Sequence, residues 1–122
     1  MSYDFMMMKP KADVMAEIES LEDLGEHTLL RQDPAALVAA LSSLFPDIAW
    51  RREDGGGWFG SLKGDDSWYE FRIEAVADYS WSISTSHRAG PRNLVPVICD
   101  TLGLLAFDGQ ANLLIWPAVP GA

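Results

Sequence analysis

Two stretches in the middle of the chain alternate with a period of two, and nothing else in the sequence constrains the fold as tightly. Over residues 67–76, Tyr69, Phe71, Ile73 and Ala75 fall on one face and Trp68, Glu70, Arg72 and Glu74 on the other. Over residues 79–87, Tyr79, Trp81, Ile83 and Thr85 oppose Ser80, Ser82, Ser84 and Ser86. Successive side chains of a strand point to opposite sides, so this pattern predicts an antiparallel sheet with one buried and one wet face. Two shorter strand-like runs precede them, residues 48–52, with Ile48 and Trp50 on one face, and residues 58–62. The segments between are rich in turn residues, Glu-Asp-Gly-Gly-Gly at 53–57 and Lys-Gly-Asp-Asp at 63–66.

The flanking segments supply further elements. Residues 2–9 place Tyr3, Phe5 and Met7 one way and Asp4, Met6 and Met8 the other, which suits a strand covered on both sides and stopped at Lys9-Pro10. Residues 11–27 admit two readings. Asp13 as a cap, Val14, Ile18 and Leu21 at i, i+4 and i+7, and Gly25 as a stop describe a short helix, while a loop with one turn fits as well. A second helix is better marked: Asp33 is a good N-cap, Pro34 sits at the first helical position, and Leu37, Val38, Leu41, Leu44 and Phe45 form an apolar stripe ending at Pro46. A third is expected over residues 92–102, with Asn93 as its cap, Leu94, Val95, Ile98, Thr101 and Leu102 inside, and Gly103 just past its end. Residues 107–110 read as a turn and 112–116 as a closing strand. Together these elements predict an α+β two-layer sandwich, a mainly antiparallel sheet with two or three helices on one face. At 122 residues the chain has the length of one domain, expected over residues 1–117 with a loose tail at 118–122.

Charge narrows the function classes. Eighteen acids against nine bases give a net charge of −9. A nucleic-acid binder needs a basic stripe to displace counterions, and anionic lipid likewise attracts basic surfaces, so neither is an expected partner. One cysteine excludes an internal disulfide framework. No apolar run approaches the roughly 18–20 residues of a membrane span, and residues 1–11 lack the pattern of a signal peptide, so a cytoplasmic location is expected.

Catalytic and metal chemistry find little support. One Cys and two separated His do not make a zinc site, and Asp65-Asp66 followed by Glu70 lacks the ligand spacing of a calcium loop. The glycines at 55–57 lie between strands rather than before a helix, so they are no phosphate cradle. Cys99, one position from Ile98 inside a helix, reads as a small partly buried thiol. Glu70 and Glu74 share a face with Arg72 between them, which describes a surface ion-pair row better than a catalytic carboxylate pair. His87 is the remaining candidate base, with Glu70 or Asp108 as its partner. No cofactor and no metal are expected, and an enzyme is the weakest reading. Trp50 and Trp81 suit the core, whereas Trp68 falls on the wet face and Trp58 follows the glycine-rich turn, where a tryptophan can anchor an interface or be covered by the tail or a second subunit. The stretch from Asp13 to Glu26 holds six acids and no base, suited to steering a basic partner.

Three stretches together carry a family likeness: Tyr3-Asp4-Phe5-Met6-Met7, then Leu41-Ser42-Ser43-Leu44-Phe45-Pro46 followed by Trp50, then Ile98-Cys99-Asp100 through Phe107-Asp108-Gly109-Gln110 to Leu114. In these the chain resembles small bacterial immunity proteins of the polymorphic-toxin type, including those paired with type VI secretion effectors. The likeness spans most of the chain but not residues 11–27, and its motifs are structural. It implies a stoichiometric inhibitor that binds one cognate toxin and occludes its active site. Toxin-contacting residues vary among such proteins, so none is carried over. Charge and exposure instead nominate the turn acids Asp54, Asp65 and Asp66, the face residues Trp68, Glu70 and Arg72, and Glu19, Glu22 and Asp23 of the acidic segment. An acidic inhibitor suits a basic toxin such as a nuclease. A secretion adaptor that binds an effector without neutralising it is the alternative, and apolar residues near the tail, including Trp116, leave a homodimer open.

Overall fold

The computed structural model describes residues 2–87 and 92–117. Eight strands and two α-helices follow in the order β1 (Tyr3–Pro10), β2 (Leu29–Leu30), α1 (Pro34–Leu44), β3 (Ala49–Arg52), β4 (Trp58–Lys63), β5 (Trp68–Ile73), β6 (Ser80–Thr85), α2 (Val95–Leu102), β7 (Leu105–Asp108) and β8 (Leu113–Ile115). The strands form one sheet in the order β3-β4-β5-β6-β1-β7-β8, with β2 paired to the end of β1, and every pairing is antiparallel. The fold is α+β, a mainly antiparallel sheet with helices packed on one face. The expected tail, residues 118–122, lies outside the described residues, as does Arg88 beside His87.

The first strand of the chain is central in the sheet. It lies between β6 and β7, which explains methionines on both of its sides: Met7 and Met8 are both buried, on opposite faces. Phe5, Met7, Phe71, Ile73, Trp81 and Ile83 point toward the helices and pack with Leu37 and Leu41 of α1 and Val95, Ile98 and Cys99 of α2. The helices end as their sequences dictate. The Asp33 side chain accepts from the Ala36 amide at 2.9 Å ahead of Pro34, and Gly103 closes α2 in the left-handed conformation (φ 66°) that glycine adopts without strain. Asn93 does act at the head of α2: its Oδ1 accepts from Val95 N at 2.8 Å.

Gly60 is a close approach. It faces the helix side of β4 beneath Trp50, and a Cβ there would lie 2.7 Å from Trp50 Cζ3 and 2.8 Å from Ile48 Cγ2. Trp50 in turn donates from Nε1 to Ser42 Oγ of α1 at 3.0 Å, so the missing side chain lets an indole bridge sheet and helix. Trp81 is tied down similarly: its Nε1 donates to Gln32 Oε1 at 3.0 Å, and the buried Gln32 amide reaches the carbonyls of Met7 and Tyr79.

Residues 11–27 form no α-helix. Two 3-10 turns, Ala12–Glu17 and Leu21–Asp23, take their place. A continuous helix would set Asp13 against Glu17, Glu19 against Asp23 and Glu22 against Glu26 as like-charged i, i+4 pairs. The chain breaks instead, and Asp23 turns its carboxylate onto the amides of Glu19 (2.9 Å) and Ser20 (3.0 Å). The segment crosses to the face away from the helices. Ile18 packs there on Met8 and Leu105, with Leu24, Phe107 and Leu114 around them, as a second small core. Phe107 and Asp108, expected in a turn, instead close strand β7; the turn begins after it, where Asp108 Oδ1 accepts from Gln110 N and Ala111 N.

Candidate binding face

The face away from the helices is divided. Its β7–β8 side lies under the 3-10 segment, and among the described residues its β3–β6 side has no element over it. One register row crosses the whole of this face: Arg51, Phe59, Arg72, Ser82, Met6, Phe107 and Leu114. The next row runs Ala49, Ser61, Glu70, Ser84 and Asp4. The serine alternation thus lies along the inner border of the uncovered half, on the face the wet reading requires.

Size contrast makes this surface concave. Short serines at 80 and 82 sit between Arg72 on one side and Met6 and Phe107 on the other, and an open groove of about 410 Å³ runs over them. Three carboxylates, Asp4, Glu74 and Asp78, line it against one guanidinium, Arg72. Asp4 is held in place by the Ser84 hydroxyl, which donates to its Oδ1 at 2.6 Å. Met6 is 41% exposed, a large apolar side chain left in water among these polar groups.

Arg72 does not make the expected ion-pair row. Its guanidinium lies over the Phe59 ring at 5.1 Å, and Arg51 covers the same ring at 4.4 Å. Cross-strand register puts Phe59 directly opposite both arginines, so a phenylalanine on the wet face is only 8% exposed. Among the described residues neither Glu70 nor Glu74 pairs with Arg72; the ion pair on this side is Arg51 with Glu53, at 3.9 Å.

The nominated residues fall into separate patches. Asp65, Asp66, Trp68 and Glu70 adjoin at the β4–β5 turn, with Trp68 half-buried and its amide donating to Ser86 Oγ. Asp54 sits in the β3–β4 turn at the other end of β4, about 20 Å away for six residues of strand. Arg72 belongs to the groove. Glu19 and Glu22 stand beyond β7, about 19 Å from β5 at ~4.8 Å per strand. Backbone amides hold the Asp23 carboxyl below its ordinary pKa, so this side chain shapes its own turn. Trp58 is half-buried and packs against the main core, edge-on to Trp50 and covered by Arg52 at 4.3 Å.

Glu19 and Glu22 line a second groove of about 500 Å³, between Leu21 and strand β8. Its walls include Phe107, Leu113, Leu114 and Trp116, and three of its apolar residues are exposed: Leu21 (43%), Leu113 (59%) and Trp116 (40%).

The His87 constellation is not assembled with Glu70. The His87 ring packs against Tyr69 on the helix side of the sheet, whereas Glu70 points to the opposite side. Asp108 is engaged by its own turn. Cys99 is completely buried rather than partly, and burial pushes its thiol up to about 12. Among the described residues, no three His, Cys, Asp or Glu side chains gather to hold a metal ion. The residues that sequence reasoning missed are Asp4, Met6, Asp78 and Phe107. Their sign would have been the pairing of β1 between β6 and β7, which alternation alone does not specify.

Compared with family models, with curated proteins and with solved structures, the chain matches none.

Proposed function

We propose that the chain is an immunity protein that binds a cognate bacterial toxin through the uncovered half of its sheet and occludes the toxin's active site. The observation that carries this reading is the groove over Ser80 and Ser82, where an exposed Met6 is framed by carboxylates. Apolar surface rimmed by polar groups is characteristic of protein-binding sites. Three carboxylates against one guanidinium, on a chain of net charge −9, favour a basic partner by raising its association rate. The likeness of the opening strand, the α1 stop and the closing turn to immunity proteins supports the same partner class.

Affinity capture of the tagged protein from its own cells tests the reading. The expected result is one stoichiometric partner ending in a compact basic domain. Ser82→Trp, which fills the groove, is expected to weaken that complex at least tenfold without unfolding the protein. Equal binding by Ser82→Trp and wild type would move the contact elsewhere, and a partner that is bound but never neutralised would make the chain an adaptor.

A further inference from the structure

We infer that the second groove, beside β8, receives an extended segment of the partner in which a large apolar side chain is flanked by lysine or arginine. This deepens the proposal above and rests on its basic partner. The two edges of the sheet differ. Strand β3 carries Arg51 and Arg52, and charges on an edge discourage pairing by another chain. Residues 112–117, around β8, read Asn-Leu-Leu-Ile-Trp-Pro without a charge. An edge strand leaves one row of backbone amides and carbonyls unpaired, a template for an added strand.

The groove beside that edge fits such a segment. Leu21, Leu113 and Trp116 are each at least 40% exposed around it, enough apolar surface to seat one large side chain. Glu19 and Glu22 stand on its rim, and among the described residues no basic side chain lines it. That charge selects the occupant. A second copy of this chain would bring two sets of these acids together on molecules of net charge −9, whereas a basic segment would neutralise them. The rim is also pre-formed, since Asp23 holds the Glu19 and Ser20 amides, which lowers the ordering cost of binding.

The test uses the full ¹⁵N-labelled chain and two synthetic nonapeptides, one alternating lysine and leucine, the other glutamate and leucine. The lysine peptide is expected to shift the amides of residues 19–22 and 112–116 and the Trp116 indole. Glu19→Lys with Glu22→Lys, and separately Leu113→Ser, should each weaken it at least tenfold. All three side chains are exposed, so the fold is retained. Equal binding of the glutamate peptide, or shifts confined to other residues, overturns the inference. So does a dimer in sedimentation that Leu113→Ser dissolves, because the occupant is then a second copy. Protection against the toxin is measured on the same variants. Protection by a protein that binds no lysine peptide removes this groove and leaves the immunity reading standing. Peptide binding here without any toxin partner does the reverse.

Discussion

Arg72 stands both in the groove and over Phe59, and its removal has a stability cost that must be separated from any effect on binding. Phe59 is 8% exposed on a face that no element among the described residues covers, because Arg51 and Arg72 lie over its ring at 4.4 and 5.1 Å. A guanidinium over a ring at an exposed site contributes roughly 0.5–1 kcal/mol. Arg72→Ala also uncovers part of a phenylalanine whose full burial is worth about 1.5–3 kcal/mol. Taking a third of that burial as lost, the substitution should cost about 1–2 kcal/mol, or roughly 4–8 °C in Tm for a domain of this size. Arg72→Lys keeps the charge and loses the planar stack, so it should fall between alanine and wild type. Urea denaturation gives the numbers, and the cycle with Phe59→Leu isolates the contact. A coupling of 0.5–1 kcal/mol is expected in its sign and size. Coupling indistinguishable from zero would mean that the arginines do not hold the ring covered. Arg72 would then be free to contribute to binding alone.

Three further outcomes follow from the interior. Gly60→Ala should cost roughly 1–3 kcal/mol in urea denaturation, because its methyl would meet Trp50 and Ile48 at under 3 Å; a neutral change would show that the indole yields easily. Gln32→Leu leaves the buried Trp81 indole N–H without an acceptor and should cost about 1–3 kcal/mol, less in a Trp81→Phe background; equal costs in both backgrounds would dismiss the hydrogen bond as the cause. Cys99 has a thiol pKa pushed above its ordinary 9.0 to about 12, so its contribution to stability is complete below pH 9 and is lost as pH rises toward 12. Denaturation midpoints should therefore fall over that range and fall less in Cys99→Ala, while thiol reagents at pH 8 should leave the native protein unmodified; rapid labelling of folded protein would contradict its burial.

What could be read in advance was whatever depends on local pattern. Strands β5 and β6 alternate because one side meets the helices and the other meets water, and both faces came out as read within the strands; beyond their ends Ala75 is exposed and Tyr79 packs in the second core on the opposite face. The cap at Asp33 and the stop at Gly103 are chemistry of a single turn, and both were visible. Strand β7 was not, because Leu105 and Ala106 are buried on opposite faces and a doubly covered strand shows an apolar run in place of alternation. Residues 11–27 admit two readings in the sequence, and the structure takes the one without an α-helix: Val14, Ile18 and Leu21 have helical spacing, but Ile18 alone is buried, and repulsion among the acids opposes the helix. The groove is a product of tertiary register. Asp4 meets Ser84 and Met6 meets Ser82 only because the first strand inserts beside the sixth, 80 residues away in the case of Asp4.

The central claim is neutralisation of a toxin, and growth rescue measures it most directly. The basic domain captured with the protein is expressed in a susceptible bacterium, alone and with the protein. Growth should stop with the domain alone, return with the wild-type chain, and stay arrested with Ser82→Trp expressed as a folded protein at equal level. A captured domain that is harmless by itself, or one that the wild-type chain binds without restoring growth, would contradict the account.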